Sequence, residues 1–171
     1  MMPATHVLAA VGSAGWLLGP NPVGLVVAVA GAALPDVDEL QSMMGYRLSV
    51  ACGSLPLGIG RQRTHSVFAL VLTSVGVGVL VGSGDLGVYF AMGWMSHLIL
   101  DLFTGGVPLW WPWRRGPEHR VTLGHHHPGG AVDWILCTAL SMWVVTMMLE
   151  DRWIPVWAEQ VRSAVAATGG G

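Results

Sequence analysis

His97 and Asp101 are the residue pair whose types and spacing most directly suggest chemistry. They lie four residues apart in an apolar run that predicts a helix, so their side chains share one helix face, with Cβ atoms about 5–6 Å apart. An imidazole and a carboxylate at that distance can bind one divalent metal ion such as zinc. A structural histidine–aspartate hydrogen bond has the same spacing, and the pattern often occurs by accident. Further ligands must therefore support the metal interpretation.

Asp36 and Asp38 form a second pair, directly after Leu34 and Pro35. In an extended chain alternate residues point the same way, so both carboxylates can face one cation. A solvated helix end is the alternative interpretation. Two acids at a helix C-terminus are opposed by the helix dipole, however, and this favours a compensating metal ion.

The segment Arg61-Gln62-Arg63-Thr64-His65-Ser66 places two arginines beside a histidine at the predicted start of a helix. Guanidinium groups and helix N-termini both bind oxyanions, so this combination suits a metal together with a phosphate. For Arg61 and Arg63 a positively charged membrane anchor ahead of an N-cap is an equally supported interpretation. For His65 we favour a metal ligand.

The composition indicates which kind of elements must position these residues. Of 171 residues, 53% are hydrophobic and 11% are charged, and no Lys is present. An ordinary soluble domain, with about 25% charged residues, is therefore excluded. The 24 Gly fit a helix bundle in lipid, where small residues let helices pack closely.

Five apolar segments predict an all-α, multi-pass transmembrane helix bundle that forms a single domain over residues 1–168, followed by a flexible Gly tail at 169–171. The first two helices are short and form a hairpin broken at Gly19-Pro20-Asn21-Pro22. Thr64 is the predicted N-cap of the third helix, and the segment 153–162 can lie along the membrane interface. The predicted helices are residues 4–18, 23–34, 66–84, 86–104 and 134–149.

In this topology the polar residues inside or beside the helices gather at one end of the bundle. Ionisable groups at such depth are costly unless they pair or bind a cation, so their convergence predicts a functional site. His6 taken alone would be a buried core histidine, and only its place in this group makes it a ligand candidate. Six of the eight Arg fall in loops at the same end, which predicts that this end faces the cytoplasm. The predicted site comprises His6, Asp36, Asp38, His65, His97, Asp101 and Asp133.

Several other features exclude functions rather than suggest them. A formal net charge of -2 leaves no basic surface for a nucleic-acid backbone. Cys52 and Cys137 lie far apart in apolar sequence, as buried thiols do, and have no disulfide spacing. The run His125-His126-His127 lies in a Pro- and Gly-rich stretch without helical spacing, and we interpret it as an exposed loop rather than a native metal site.

These residues, in this order, resemble the YdjM-like family of bacterial inner-membrane proteins, which are described as LexA-regulated, membrane-bound metal-dependent hydrolases. The resemblance covers nearly the whole chain. Each motif is weak alone, but together they are specific. The motifs are Thr5-His6; Leu34-Pro35-Asp36-Val37-Asp38 followed by Ser42 and Gly45; Arg61 with Thr64-His65-Ser66; Gly93-Trp94-Met95-Ser96-His97 running to Asp101 and Thr104; and Gly106-Val107-Pro108-Leu109 with Trp111-Pro112.

Two positions depart from the family pattern. Members often have His directly before the Arg of the third motif, where this chain has Gly60, so it lacks a side chain that could bind the metal or the phosphate. Members often have Glu at the start of the last helix, where this chain has Asp133, which keeps the carboxylate on a shorter side chain.

The resemblance implies a hydrolase of the bacterial inner membrane that binds one or two divalent ions, with zinc as the expected metal. The family is distantly similar to zinc-dependent phospholipases C and single-strand nucleases, which suggests phosphoester hydrolysis. The expected partners are membrane lipids and a lipid or lipid-linked phosphoester substrate, without nucleic acid; a homo-oligomer is left open. The ligand candidates are His6, Asp36, Asp38, His65, His97 and Asp101; the candidates for catalysis are Asp38, Asp133, Arg61 and Arg63.

Two alternatives come from other functional classes. Intramembrane His and Asp also line the paths of divalent cations or protons in transporters and channels. Such a path needs polar groups through the full depth, however, and the opposite helix ends offer only Asp85, Glu150, Asp151 and Arg152. A non-catalytic membrane scaffold stapled by metal is the third interpretation, and it predicts tolerance of substitutions at Arg61 and Arg63.

Overall fold

The computed structural model describes residues 3–36, 61–114, 119–124, 127, 129–150 and 153–168. The described residues form helices joined by turns, and the one β-type contact among them is an isolated bridge between Val107 and Val121. This confirms the all-α class. The helices are α1 (Pro3–Leu18), α2 (Pro22–Ala33), a 3-10 turn (Leu34–Asp36), the short α3 (Arg61–Thr64), α4 (Val67–Val81), α5 (Gly84–Asp101), α6 (Ala131–Leu149) and α7 (Ile154–Thr168).

Helix α5 lies at the centre of the bundle, in contact with α1, α2 and α4. Glycine makes the closest of these contacts possible. A Cβ atom on Gly93 would collide with the backbone of Ala28, and one on Gly31 would collide with the carbonyl oxygen of Phe90. Because neither residue has a Cβ, α2 and α5 approach backbone to backbone, and this brings the C-terminal end of α2 next to His97.

The helix starts follow the expected capping chemistry, with one correction. The side chain of Asn21 accepts a hydrogen bond from the Gly24 backbone N–H at the start of α2. Thr64, predicted as the N-cap of the third helix, is not its cap. Ser66 has the extended cap conformation and accepts from the Ala69 N–H at 3.1 Å, so α4 begins at Val67.

At the end of the bundle away from His97, aromatic side chains connect the helices to the turn between α1 and α2. The Tyr89 hydroxyl donates to the carbonyl oxygens of Leu18 and Gly19, which ties α5 to the turn between α1 and α2. Trp157 donates from its indole N–H to the Pro20 carbonyl oxygen, and Trp153 is buried against Gly15 of α1. Residues 154–168 form a helix, which extends the predicted interfacial segment 153–162.

The predicted five membrane spans are supported only in part. Within the described residues, α6 is the one helix long and apolar enough to cross a membrane, while the apolar stretches Pro22–Asp36 and Val67–Val81 are shorter. Many large apolar side chains on α4 and α6 are exposed, among them Leu80 at 87% and Leu149 at 69%. Such a surface is typical of contact with lipid or a partner, but the number of spans stays a prediction.

Candidate metal centre

Four side chains from three parts of the chain converge at one end of the bundle. Asp36 ends the 3-10 turn after α2, His65 lies between α3 and α4, and His97 and Asp101 occupy the last two turns of α5. One ligand atom from each of the four lies within 4.8 Å of the other three. His65 and His97 are fully buried, Asp101 is nearly so, and Asp36 is half-buried. The structure thus brings together four of the six predicted ligands.

The distances within this cluster fit one small cation. The Nε2 atoms of His65 and His97 lie 3.3 Å apart. The Oδ2 atom of Asp101 lies 3.3 Å from the first and 3.5 Å from the second, and the Oδ1 atom of Asp36 lies 3.7 Å and 3.5 Å from them. Ligand atoms placed tetrahedrally at about 2.0–2.1 Å from zinc are about 3.3–3.4 Å apart. The donor set and its spacing therefore fit a site for one small divalent cation.

In each imidazole, the Nδ1 atom, which points away from the cluster, also has a hydrogen-bond partner. Nδ1 of His97 lies 2.8 Å from the carbonyl oxygen of Ala32, and because a carbonyl only accepts, Nδ1 carries the proton and donates. The Nε2 atom of neutral His97 is then free to bind a metal. Nδ1 of His65 lies 3.0 Å from the Thr64 hydroxyl, which can accept in the same way. Hydrogen bonds of this kind orient metal-binding histidines.

Asp101 is positioned by its own helix end. The Thr104 hydroxyl donates to Oδ1 of Asp101 at 3.3 Å, and the backbone N–H groups of Thr104 and Gly106 donate to its carbonyl oxygen. These bonds fix the turn that ends α5. Oδ2 of Asp101 therefore faces the two histidines while Oδ1 faces the other way.

His6 lies next to this cluster without belonging to the group of four. Its ring stacks on His97 with centroids 4.1 Å apart, and its Nε2 atom lies 3.6 Å from Oδ1 of Asp101. The side chain is buried, and its Nδ1 atom has no hydrogen-bond partner among the described residues. His6 thus lies beside Oδ1 of Asp101, while His65 and His97 lie beside Oδ2.

Asp133 lies near the cluster, but both of its carboxylate oxygens accept hydrogen bonds from other groups. Its Oδ1 atom accepts from the Thr5 hydroxyl at 2.7 Å, and its Oδ2 atom accepts from the Gly129 N–H at 2.9 Å. The residue is buried in the first turn of α6 and is not among the four clustered ligands. Through Thr5, Asp133 fixes the start of α1 and with it the position of His6.

The remaining predicted site residues are placed as follows. The Arg63 side chain is exposed on α3, two residues before His65. Arg61 begins α3, although its side chain lies outside the described residues, as do Asp38, His125, His126 and Cys52. Asp36 lies in a 3-10 turn rather than in the extended conformation that the spacing of the two aspartates predicted. His127 is exposed, and Cys137 is a half-buried free thiol.

Asp36 is the part of the cluster with most access to water, and its ionisation bears on cation binding. Burial alone would raise the pKa of Asp36, but the neighbouring imidazoles of His65 and His97 outweigh burial and lower it. The carboxylate is therefore ionised at neutral pH, in the form that binds a cation.

Comparison with known proteins identifies the family of the chain. The sequence profile described as YdjM inner membrane protein matches residues 1–166. The chain belongs to the YdjM inner membrane protein family. No curated protein and no solved structure matches it. Membership of the YdjM family establishes a membrane protein, and the His/Asp cluster gives this YdjM protein a site suited to a metal ion.

Proposed function

We propose that this chain is a membrane-embedded, metal-dependent hydrolase that cleaves a phosphoester in a lipid or lipid-linked substrate. The observation that carries the proposal is the convergence of Asp36, His65, His97 and Asp101 at one end of an apolar bundle. Buried acids and imidazoles in a membrane protein are costly unless they pair or bind a cation, and such groups usually mark functional sites. The membrane family and the position at the helix ends support a substrate that lies in the bilayer.

The donor set supports this chemistry. A divalent ion bound here would polarise a phosphoryl oxygen and lower the pKa of a bound water toward ~7. Asp36, His65, His97 and Asp101 would hold the ion, and Ala32 and Thr64 would keep the two histidines oriented. His6 would provide a further ligand beside Oδ1 of Asp101. The site would then hold one ion or two.

The charged residues around the cluster take the remaining roles in the proposal. The exposed guanidinium of Arg63, together with Arg61 two residues before it, would neutralise the phosphate. Asp38 is proposed as a further ligand or proton acceptor. Asp133 could complete the metal shell or accept a proton, and we propose the second role, because its hydrogen bonds to Thr5 and Gly129 hold it outside the group of four ligands.

The test is turnover in lipid. The full chain, reconstituted in vesicles with zinc or manganese, is given a panel of lipid phosphomonoesters and phosphodiesters, and release of phosphate or headgroup is measured. We expect turnover of at least one member that is lost in Asp101→Asn and in Asp38→Asn. His127→Ala is the matched control, since this exposed histidine lies outside the cluster, and it should retain full turnover.

Two results would contradict the proposal. If the original protein turns over every panel member no faster than Asp101→Asn does, the hydrolase proposal is wrong. Metal uptake into the vesicles that depends on His97 and Asp101, without any turnover, would instead support an ion transporter.

A further inference from the structure

A cluster of exposed aromatic side chains lies beside the metal centre and is not used by it. Trp113 is 74% exposed, Trp110 is 54% exposed and Phe68 is 38% exposed. The Phe68 ring lies edge-on to Trp111 at 6.1 Å and to Trp113 at 5.8 Å between centroids. We call Phe68, Trp110, Trp111 and Trp113 the aromatic surface. Exposing so much apolar ring surface to water is unfavourable, and burying it against lipid or a partner would remove that free-energy cost.

The segment that carries the three tryptophans is anchored in the fold. Val107 is fully buried in a core cluster with Trp94 and Leu98. Its backbone pairs with Val121 in both directions, at 2.9 and 3.0 Å. The Leu109 carbonyl oxygen accepts from the Val67 N–H at 3.1 Å, directly at the start of α4. The aromatic surface is therefore fixed relative to His65, which lies two residues before Val67.

Positive charge borders the aromatic surface. Arg114 follows Trp113 and is exposed, and Arg63, five residues before Phe68, is exposed as well. Residues 61–68 and 107–114 contain no Asp or Glu. Indole rings prefer the boundary between headgroups and acyl chains, and arginine next to that boundary attracts anionic lipids. Aromatic rings that lie in the same two segments as Arg63 and Arg114 are thus complementary to an anionic phospholipid in both polarity and charge.

We propose that the aromatic surface and Arg114 bind the headgroup region of an anionic phospholipid and hold the metal centre at that depth of the membrane. The indoles lie at the level of the glycerol and upper acyl chains, and the guanidinium binds the lipid phosphate. This interaction is separate from catalysis, because none of these side chains contributes to the His/Asp cluster. It determines which lipids surround the site.

The experiment uses brominated lipids, which quench tryptophan fluorescence on contact. The full chain is reconstituted in phosphatidylcholine vesicles that contain a small fraction of dibrominated phosphatidylglycerol or dibrominated phosphatidylcholine. The signal is the fluorescence component that disappears in the Trp110→Phe, Trp113→Phe double variant. We expect this component to be half-quenched by phosphatidylglycerol at roughly fivefold lower mole fraction than by phosphatidylcholine, since one arginine near a membrane surface gives a preference of about that size.

Arg114→Gln should remove most of that preference, and added salt should weaken it. Arg162→Gln is the matched control, because Arg162 lies on α7, where it pairs with Glu159 at 2.9 Å, and it should leave the preference intact. Asp101→Asn should also leave it intact, so failure of the hydrolase proposal would not affect this result.

Equal quenching by the two lipids would overturn the proposal. So would quenching by aqueous iodide but by neither lipid, since the aromatic surface would then face water. Loss of the preference on adding soluble glycerol 3-phosphate would show that a free phosphate, and not a lipid, is the ligand.

Discussion

The Nε2 atoms of His65 and His97 lie 3.3 Å apart, between the carboxylates of Asp36 and Asp101. The Nδ1 proton of His97 is committed to the Ala32 carbonyl oxygen, so in the neutral ring its Nε2 atom presents a lone pair. If Thr64 accepts from Nδ1 of His65, the second Nε2 presents one as well. Two lone pairs at this distance are stabilised by a cation between them.

Thr64 should therefore control metal affinity without touching the metal. Thr64→Val removes the hydroxyl 3.0 Å from Nδ1 of His65 and keeps the side-chain shape. We expect about a 10-fold to 100-fold weaker metal affinity, the usual effect of losing a hydrogen bond that orients a ligand. Competition with a chromophoric chelator measures it.

Thr64→Ser is the conservative control and should restore most of the affinity. Unchanged affinity in Thr64→Val would show that the hydroxyl does not orient His65.

The close packing of α2 on α5 should depend on Gly93. Gly93→Ala adds a Cβ that collides with the backbone of Ala28, so either the helices separate or the chain loses stability. We expect a loss of about 1–3 kcal/mol, as for other overpacked sites, together with weaker metal binding because Ala32 moves away from His97. Thermal unfolding in detergent, with and without metal, tests this.

Gly76→Ala is the matched control, because nothing lies within 4 Å of the added Cβ atom on α4. Alanine is the better helix former, so this variant should be as stable as the original or more stable by about 0.5–1 kcal/mol. Equal stability of the two variants would contradict the packing argument.

Replacing Asp133 should lower the stability of the fold without changing metal binding. Asp133→Ala leaves the Thr5 hydroxyl and the Gly129 N–H without their acceptor. Losing these two bonds, one buried and one partly buried, should cost about 1–3 kcal/mol, while the metal content stays unchanged because the four clustered ligands remain. Metal analysis beside thermal unfolding distinguishes the cases: a folded variant without metal would place Asp133 in the metal shell.

The sequence allowed the pair on α5 to be predicted directly, because His97 and Asp101 sit one helical turn apart and need only that helix to meet. Asp36 was placed at the site for a partly wrong reason, since it lies in a 3-10 turn and not in an extended segment. Its contribution follows from where α2 ends, which the hydrophobic pattern does predict.

Other contacts leave no signal in residue types. The Ala32 carbonyl that orients His97 belongs to the backbone, and the contact forms only because Gly31 and Gly93 let the two helices approach. The choice between Thr64 and Ser66 as N-cap depended on where the chain bends, because either hydroxyl can cap a helix. The bond between Thr5 and Asp133 joins residues 128 positions apart, and local spacing does not predict it.

The most direct test of the central claim is elemental analysis of the full chain, purified in mild detergent without a metal-affinity tag and with metal supplied during growth and purification. The His97→Ala, Asp101→Ala double variant is prepared in parallel, and its helical content is checked by circular dichroism. We predict one or two zinc or manganese ions per chain in the original protein and none in the folded double variant. No bound metal in the original protein, or equal metal in both, would contradict the metal centre and the hydrolase proposed on it.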